Sequence, residues 1–405
     1  MFLQIHTLTA YPASLLNRDD AGLAKRIPFG NATRLRVSSQ CLKRHWREDL
    51  VDLDAAAAKV CEIPDGYRSR RIFELVHSEL QKRGVPDDEA EVLAHCMKNL
   101  AMKSSKDSED DDGDDESGSN LRIKQPIFLS RPEVEFLIET AEKIRQQTQD
   151  LKTAQKLSEG IKKNDKLAKD KRNFRDRLGL TEENLKAMHK SAVGFSSALF
   201  GRMVTSDLLA RVDAPVHVAH AFTVHASNTE MDYFTVVDDL NRDDEIGAAH
   251  ANQSELGAGV YYGYVAVDVP LLVSNLTGCE AKEWRQQDSA TPARVLGALV
   301  RSIVQQSPGA KKGSTAPYAW ADLLLLEAGT AQPRSLANAF LEAVPAKGDV
   351  RQQAAERMLA YLGKLDAMYG ANSQRQLATT LSLSSPLAAQ PVENAVRAAL
   401  DALWA

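Results

Sequence analysis

Gln40, Lys43, Arg44 and Arg47 are spaced i, i+3, i+4 and i+7. A helix beginning at Ser38-Ser39, with a serine as N-cap, would carry all four as one polar stripe. Leu42, Trp46 and Leu50 recur every fourth residue on another side and can anchor that helix in a core. Arg18, Lys25, Arg34 and Arg36 lead into the stripe. Guanidinium forks, lysine point charges and a helix N-terminus together suit phosphate oxygens. A solvated helix face is the alternative, but such a face usually mixes signs, and here no acid enters until Glu48.

Other groupings point to less. His217, His220 and His225 resemble a metal set, yet on a strand His217 and His225 share one face while His220 points the other way. Gly257-Ala-Gly259-Val-Tyr-Tyr-Gly263 falls short of a dinucleotide fingerprint, and an aromatic strand follows it instead of a helix. Gly309-Ala-Lys-Lys-Gly313-Ser lacks the lysine that follows the last glycine of a P-loop, although Lys311 and Lys312 could still touch a phosphate. Asp238-Asp239, with Asp232 nearby, could hold a divalent ion only if a turn brought the two together; solvated surface explains them as well. Tyr262-Gly-Tyr264-Val265 weakly echoes the base-stacking strand of RNA-recognition domains, with core packing the better reading. No catalytic constellation, metal or cofactor site emerges.

The elements that would position these residues belong to a chain of 405 residues, 43% hydrophobic and 26% charged, long enough for two to three domains. Cys41, Cys61, Cys96 and Cys279 form no CxxC pair, which argues against a zinc ribbon or disulfide scaffold and fits a reducing, cytoplasmic setting. No apolar run approaches a membrane span, and no basic stretch precedes an apolar core as in a secretory signal. The net charge of −5 hides strong segregation. Asp107 to Gly118 holds eight acids and no base; Asn17 to Arg47 has eight Lys/Arg against two Asp; Lys143 to Arg177 has twelve against five. Phosphate affinity follows such local potential rather than the sum, although the last cluster equally fits a solvated helix face.

The first ten residues read as a strand, followed by a loop from Tyr11 to about Val37. From Ser38 to about Met188 the apolar period is mostly helical, interrupted by an acidic loop at 106–120 that reads as disordered. Strands are expected at Val216–Val224, Val260–Val269 and Ala321–Leu326, and helices at Pro292–Gln305, Val350–Tyr369 and Val392–Leu403. Strands at both ends of a helical segment imply an α+β core carrying an insertion. The polar interval His225–Glu255, strand-like at Tyr233–Val237, reads as a protruding arm.

A series of motifs carries a family resemblance: Asn17-Arg-Asp-Asp20, Phe29-Gly30, Arg34-Leu-Arg-Val-Ser-Ser-Gln40, Leu42-Lys-Arg44, Gly201-Arg-Met203, His220-Ala, Asp232-Tyr-Phe-Thr235, Val237-Asp-Asp-Leu240, Pro308-Gly-Ala-Lys311 and Ser335-Leu-Ala-Asn-Ala-Phe340. In this order they resemble the repeated backbone subunit of the type I-E CRISPR Cascade complex, the CasC family.

The resemblance implies a hand-like α+β architecture: a modified RNA-recognition (ferredoxin-like) palm from residues 1–50, 199–226 and 257–405, helical fingers from 51–198, and a β-hairpin thumb from 227–256. It implies a non-catalytic subunit that assembles head-to-tail along a CRISPR RNA with other Cascade subunits. The guide is then presented to target DNA in antiviral defence, with neither membrane nor cofactor involved. Arg18, Lys25, Arg34, Arg36, Ser38, Gln40, Lys43, Arg44 and Arg47 would hold the guide backbone; Met203, Tyr233, Phe234 and Thr235 would wedge out bases. From Glu230 to Glu245 the thumb has seven acids and one arginine, so wedging or a neighbour's basic surface must bind it to its target. The alternative is a guide-dependent endoribonuclease using Asp232, Asp238 or Asp239.

Overall fold

Along Phe2–Ser14 (β1) successive side chains point to opposite faces, and Leu3, Ile5 and Leu8 are all buried, which marks a strand covered on both sides. A computed structural model describes residues 1–52, 66–102, 121–148, 150–159, 166–181, 194–202, 211–236 and 250–405. The acidic loop, Met203, Asp238 and Asp239 lie outside the described residues.

Two compact units result: Met1–Cys61 with Val216–Val269 and Asp288–Ala405, and Glu62–Pro215 with Pro270–Gln287. The first is built on a nine-stranded sheet. Its strands are β1, Arg26–Phe29 (β2), Ala32–Val37 (β3), Val216–Val218 (β4), Ala221–Thr223 (β5), Thr229–Val236 (β6), His250–Asp268 (β7), Leu323–Gly329 (β8) and Ser373–Thr379 (β9). They run in the order β9-β8-β1-β7-β5-β3-β2, with β4 and β6 also paired to β7. Ser39–Asp52 (α1) follows the β2–β3 hairpin, Ala290–Gln305 (α2) precedes β8, and Val350–Tyr369 (α3) and Val392–Trp404 (α4) complete the unit. The path β1-α1-β5-β7-α2-β8 with neighbours β8-β1-β7-β5, antiparallel throughout, is the ferredoxin-like arrangement expected of the palm.

Both faces of this sheet are occupied. On one, Leu8, Tyr262, Leu323, Leu325 and Leu377 meet Ala354, Met358 and Leu362 of α3 and the Leu336–Val344 segment. On the other, Tyr11, Leu35, Val37 and Tyr261 pack near Cys41 and Leu42 of α1. Tyr262 is 1% exposed, and its hydroxyl contacts His6 and accepts the Leu336 N–H. Core packing therefore holds for Tyr261 and Tyr262, while Tyr264 is half-buried, its ring tilted against His6 and its hydroxyl donating to Gln4 Oε1 at 2.9 Å.

Pro28 and Gly30 fall inside a hairpin where a loop was expected. Gly30 has φ +62°, and a Cβ there would lie 1.7 Å from the Leu341 carbonyl oxygen. That carbonyl accepts the Asn31 N–H at 3.0 Å, and Asn31 Oδ1 accepts the Ala343 N–H at 2.8 Å. Gly30→Ala is expected to lower stability by about 1–3 kcal/mol from backbone strain alone, with the docked tip displaced besides. Gly313→Ala, where a Cβ meets nothing within 4 Å, should stay within about 0.5 kcal/mol. Denaturant midpoints of the two variants check this.

The second unit is helical, around Phe73, Leu80, Leu93, Met97, Leu137, Ile144 and Phe174. Its helix Arg131–Gln147 opens with a capping box between Ser130 and Glu133. Gly66–Ser69 and Ile127–Ser130, separated in sequence by helices, pair as a short antiparallel ribbon that the helical period concealed. Arg202 donates to Glu133 at 2.6 Å, and Asn275 donates to the Ala198 and Asp213 carbonyls. Residues 199–202, 211–215 and 270–287, expected in the palm, are thereby drawn into this unit. The arm is no separate unit either, since β6 pairs with the outer half of β7, a strand of the main sheet.

Candidate nucleic-acid interface

The polar segment Asn17–Lys25 folds as a tight turn because Asp19 Oδ1 accepts the Ala21 and Leu23 N–H groups and the Asn17 carbonyl accepts that of Lys25. Asn17 Oδ1 also accepts the Ser38 N–H at 2.9 Å, pinning the turn to the start of α1. Arg18 is left exposed and Lys25 half-buried, and neither makes an ion pair among the described residues. Ser38 caps α1, its hydroxyl accepting the Cys41 N–H at 3.3 Å, as its position before the apolar repeat predicts.

Along α1, Trp46 and Leu50 are buried while Gln40 and Arg44 are exposed and Lys43 and Arg47 half-buried. Arg44 pairs with Glu48 at 2.8 Å on the open surface, an i,i+4 contact worth a few tenths of a kcal/mol and readily surrendered to a phosphate. Burial lowers the Lys43 pKa. Burial also raises the Cys41 thiol against the pull of Arg44, Lys25 and Lys312, whose charges all reach the first turn of α1. Lys312 arrives there because the Ala310 N–H bonds to the Leu15 carbonyl at 2.9 Å. Neighbouring Lys311 bonds to Ser254 Oγ at 3.1 Å.

Arg36 extends the field. Its Nε donates to the Arg26 carbonyl and its Nη1 lies 3.1 Å from His220 Nδ1. Burial, then the charges of Arg36 and Lys25, hold His220 below its ordinary pKa, so it is a neutral acceptor here. His225 is buried elsewhere, with Nδ1 on the Ala226 carbonyl and Nε2 accepting the Val260 N–H. The histidines therefore occupy different surroundings, and among the described residues no group of three His, Cys, Asp or Glu is placed to share a metal ion.

Two of the predicted backbone contacts need correction. Arg34 is fully buried, donating to the Thr223 carbonyl at 3.2 Å and the Phe340 carbonyl at 2.8 Å. It ties β3 to two distant segments and offers no donor at the surface. Ser38 is 6% exposed and its hydroxyl is engaged as the cap. Arg26 is spoken for as well, paired with the buried Glu255 and with Thr229 Oγ1 at 3.1 Å.

In the arm, Tyr233 is 61% and Met231 49% exposed, two apolar side chains on one face of β6, with Glu230 and Asp232 on the other. Phe234 and Thr235 pair with Asn252 and Ala251. Sequence reasoning missed Met231, although it stands two residues from Tyr233, the strand period that brings it to the same face. His220 as a partner of Arg36 was legible only in three dimensions.

The CT1975-like protein family model matches residues 3–405, and the chain belongs to that family. A chain of a "CRISPR RNA-guided surveillance complex, pre-nicking" is similar over 100% of both chains, at TM-score 0.75 and 26% identity. A chain of a "CRISPR RNA-guided surveillance complex" shares the fold at TM-score 0.55 and 20% identity over 99% of each. None of the curated proteins matches. Among the described residues, no helix is long and apolar enough to cross a membrane.

Proposed function

We propose that this chain is a backbone subunit of a Cascade-type CRISPR surveillance complex, of type I-E as the motif series suggests. In that reading it binds CRISPR RNA without catalysis, polymerises head-to-tail along it in the cytoplasm beside other Cascade subunits, and holds it for pairing with target DNA. The observation that carries the reading is the full-length likeness to a surveillance-complex chain joined to the cationic surface around the first turn of α1. Arg18, Lys25, Arg36, Gln40, Lys43, Arg44 and Arg47 are its backbone contacts. Phosphates carry no sequence information, so such contacts suit a guide of any sequence. The outward face of the arm, with Met231 and Tyr233, supplies the wedge.

Co-expression with its neighbouring genes followed by sequencing of co-purified RNA tests the proposal: repeat-spacer units are expected, and material free of RNA would end it. Incubating the assembled complex with Mg²⁺ and complementary RNA tests the absence of catalysis. Regular cuts abolished by Asp232→Ala would replace this reading with the endoribonuclease one.

A further inference from the structure

Resting on that reading, we infer that Tyr318 and Trp320 form a stacking shelf for the bases of single-stranded RNA beside the cationic surface. Trp320 is 71% and Tyr318 70% exposed. The backbone holds them outward, because Ser307 Oγ donates to the Ala319 carbonyl and accepts the Ala319 N–H, and the Ala321 N–H bonds to the Val304 carbonyl. The residues between and after the two rings thus face the protein, and the rings face solvent. Ala316 just before them adopts the left-handed conformation at φ 41°, a cost borne by a non-glycine residue to turn the chain there.

The shelf adjoins the lysines. A Cβ on Gly309 would lie 2.8 Å from Pro317 Cγ and 3.1 Å from Lys312 Cγ, so both pack on the same glycine. Lys312 in turn reaches the first turn of α1 electrostatically. Aromatic faces next to cations bind unpaired strands by stacking and charge together. The charge beside the rings favours a polyanion over an apolar protein partner, and Tyr261 and Tyr262 on the sheet are buried and closed to a base.

Among the four tryptophans, Trp46 and Trp284 are buried and Trp404 is half-buried, so Trp320 dominates the solvent-quenchable emission. Titrating the full-length chain with an unstructured oligouridine RNA should quench that emission, while inorganic polyphosphate, which has no bases, should bind without quenching. Trp320→Ala should weaken RNA binding by about 5- to 150-fold at an unchanged salt slope, and Trp320→Phe should restore most of it. Equal quenching by both polyanions, unchanged RNA affinity in Trp320→Ala, or quenching that follows protein rather than RNA concentration would overturn the shelf; the last would make it a contact between copies. If the unaltered chain binds no RNA at all, the proposed function falls, and the shelf with it.

Discussion

Replacing Lys43 and Arg44 together by alanine is expected to weaken RNA binding by about 10- to 100-fold at low salt, to the same degree for every RNA sequence. Arg44 is exposed and Lys43 half-buried on α1, and neither belongs to the buried core. Taking away one phosphate-binding cation should flatten the dependence of log K on log[salt] by about 0.7. The double variant should therefore bind with a slope shallower by ~1.4. Stability should barely change, because the Arg44–Glu48 pair is solvent-exposed. Filter binding or anisotropy at several salt concentrations measures both quantities; an unchanged slope would remove α1 from the interface. Arg34→Ala is the informative contrast, since it should lower stability while leaving the salt slope intact.

Glu327→Gln is expected to destabilise the sheet unit by about 3–5 kcal/mol, the cost of leaving buried charges without their partner. Glu327 is fully buried on β8 and accepts from Arg334 at 2.7 and 2.9 Å, from Arg375 Nε at 2.8 Å, from Ser373 at 3.0 Å and from His6 Nε2 at 3.1 Å. Arg375 keeps Asp366 in the variant, whereas Arg334 loses the carboxylate it forks around. An exposed pair of the same type, Arg301 with Glu393 at 2.8 Å, should cost at most about 1 kcal/mol when broken by Arg301→Ala. Denaturant melts of both variants decide the ranking.

The same network makes the protein acid-sensitive. Burial holds His6 below its ordinary pKa of 6.5, and as a neutral ring it donates from Nε2 to Glu327 while Nδ1 accepts from Tyr262. Burial would raise the Glu327 carboxyl, but hydrogen bonds from His6 and Arg334, together with the Arg334 charge, hold it well below the carboxylate range. In the unfolded chain His6 takes a proton near pH ~6.5 and Glu327 near ~4.3. Both groups therefore bind more protons unfolded than folded, and stability falls as pH drops. The decline should begin below about pH 6.5 through His6 and steepen below about pH 4.5 through Glu327. His6→Gln should reduce the first part of the slope, leaving the share of His95, His220 and His225, which burial also holds below their ordinary pKa.

Much of this was visible in the sequence, for local reasons. The cap at Ser38, the anchors Trp46 and Leu50, the span Val350–Tyr369 and the buried tyrosine strand each follow from period and residue type within a few positions. The hairpin Arg26–Val37 did not, because Pro28 and Gly30 are ordinary turn signals and β2 is largely exposed, leaving no alternation to detect. Ser373–Thr379 is a polar edge strand for the same reason. The fate of Arg34 was illegible in principle. Its carbonyl partners stand 189 and 306 residues away, and an arginine among arginines carries no mark of burial. Charge density located a cationic surface; only the fold tells which of its cations are already engaged.

One carboxylate links two places that function would treat separately. Glu255, near the base of the arm on β7, accepts the Ala24 N–H at 2.7 Å and also grips Arg26. The turn bearing Arg18 and Lys25 and the stem of the paired strands β6 and β7 are thus fastened to a common peg. Under the proposed function, a load placed on the arm by a wedged nucleobase would pass through this shared carboxylate to the turn assigned to the phosphates, as in a hinge whose two leaves share a pin.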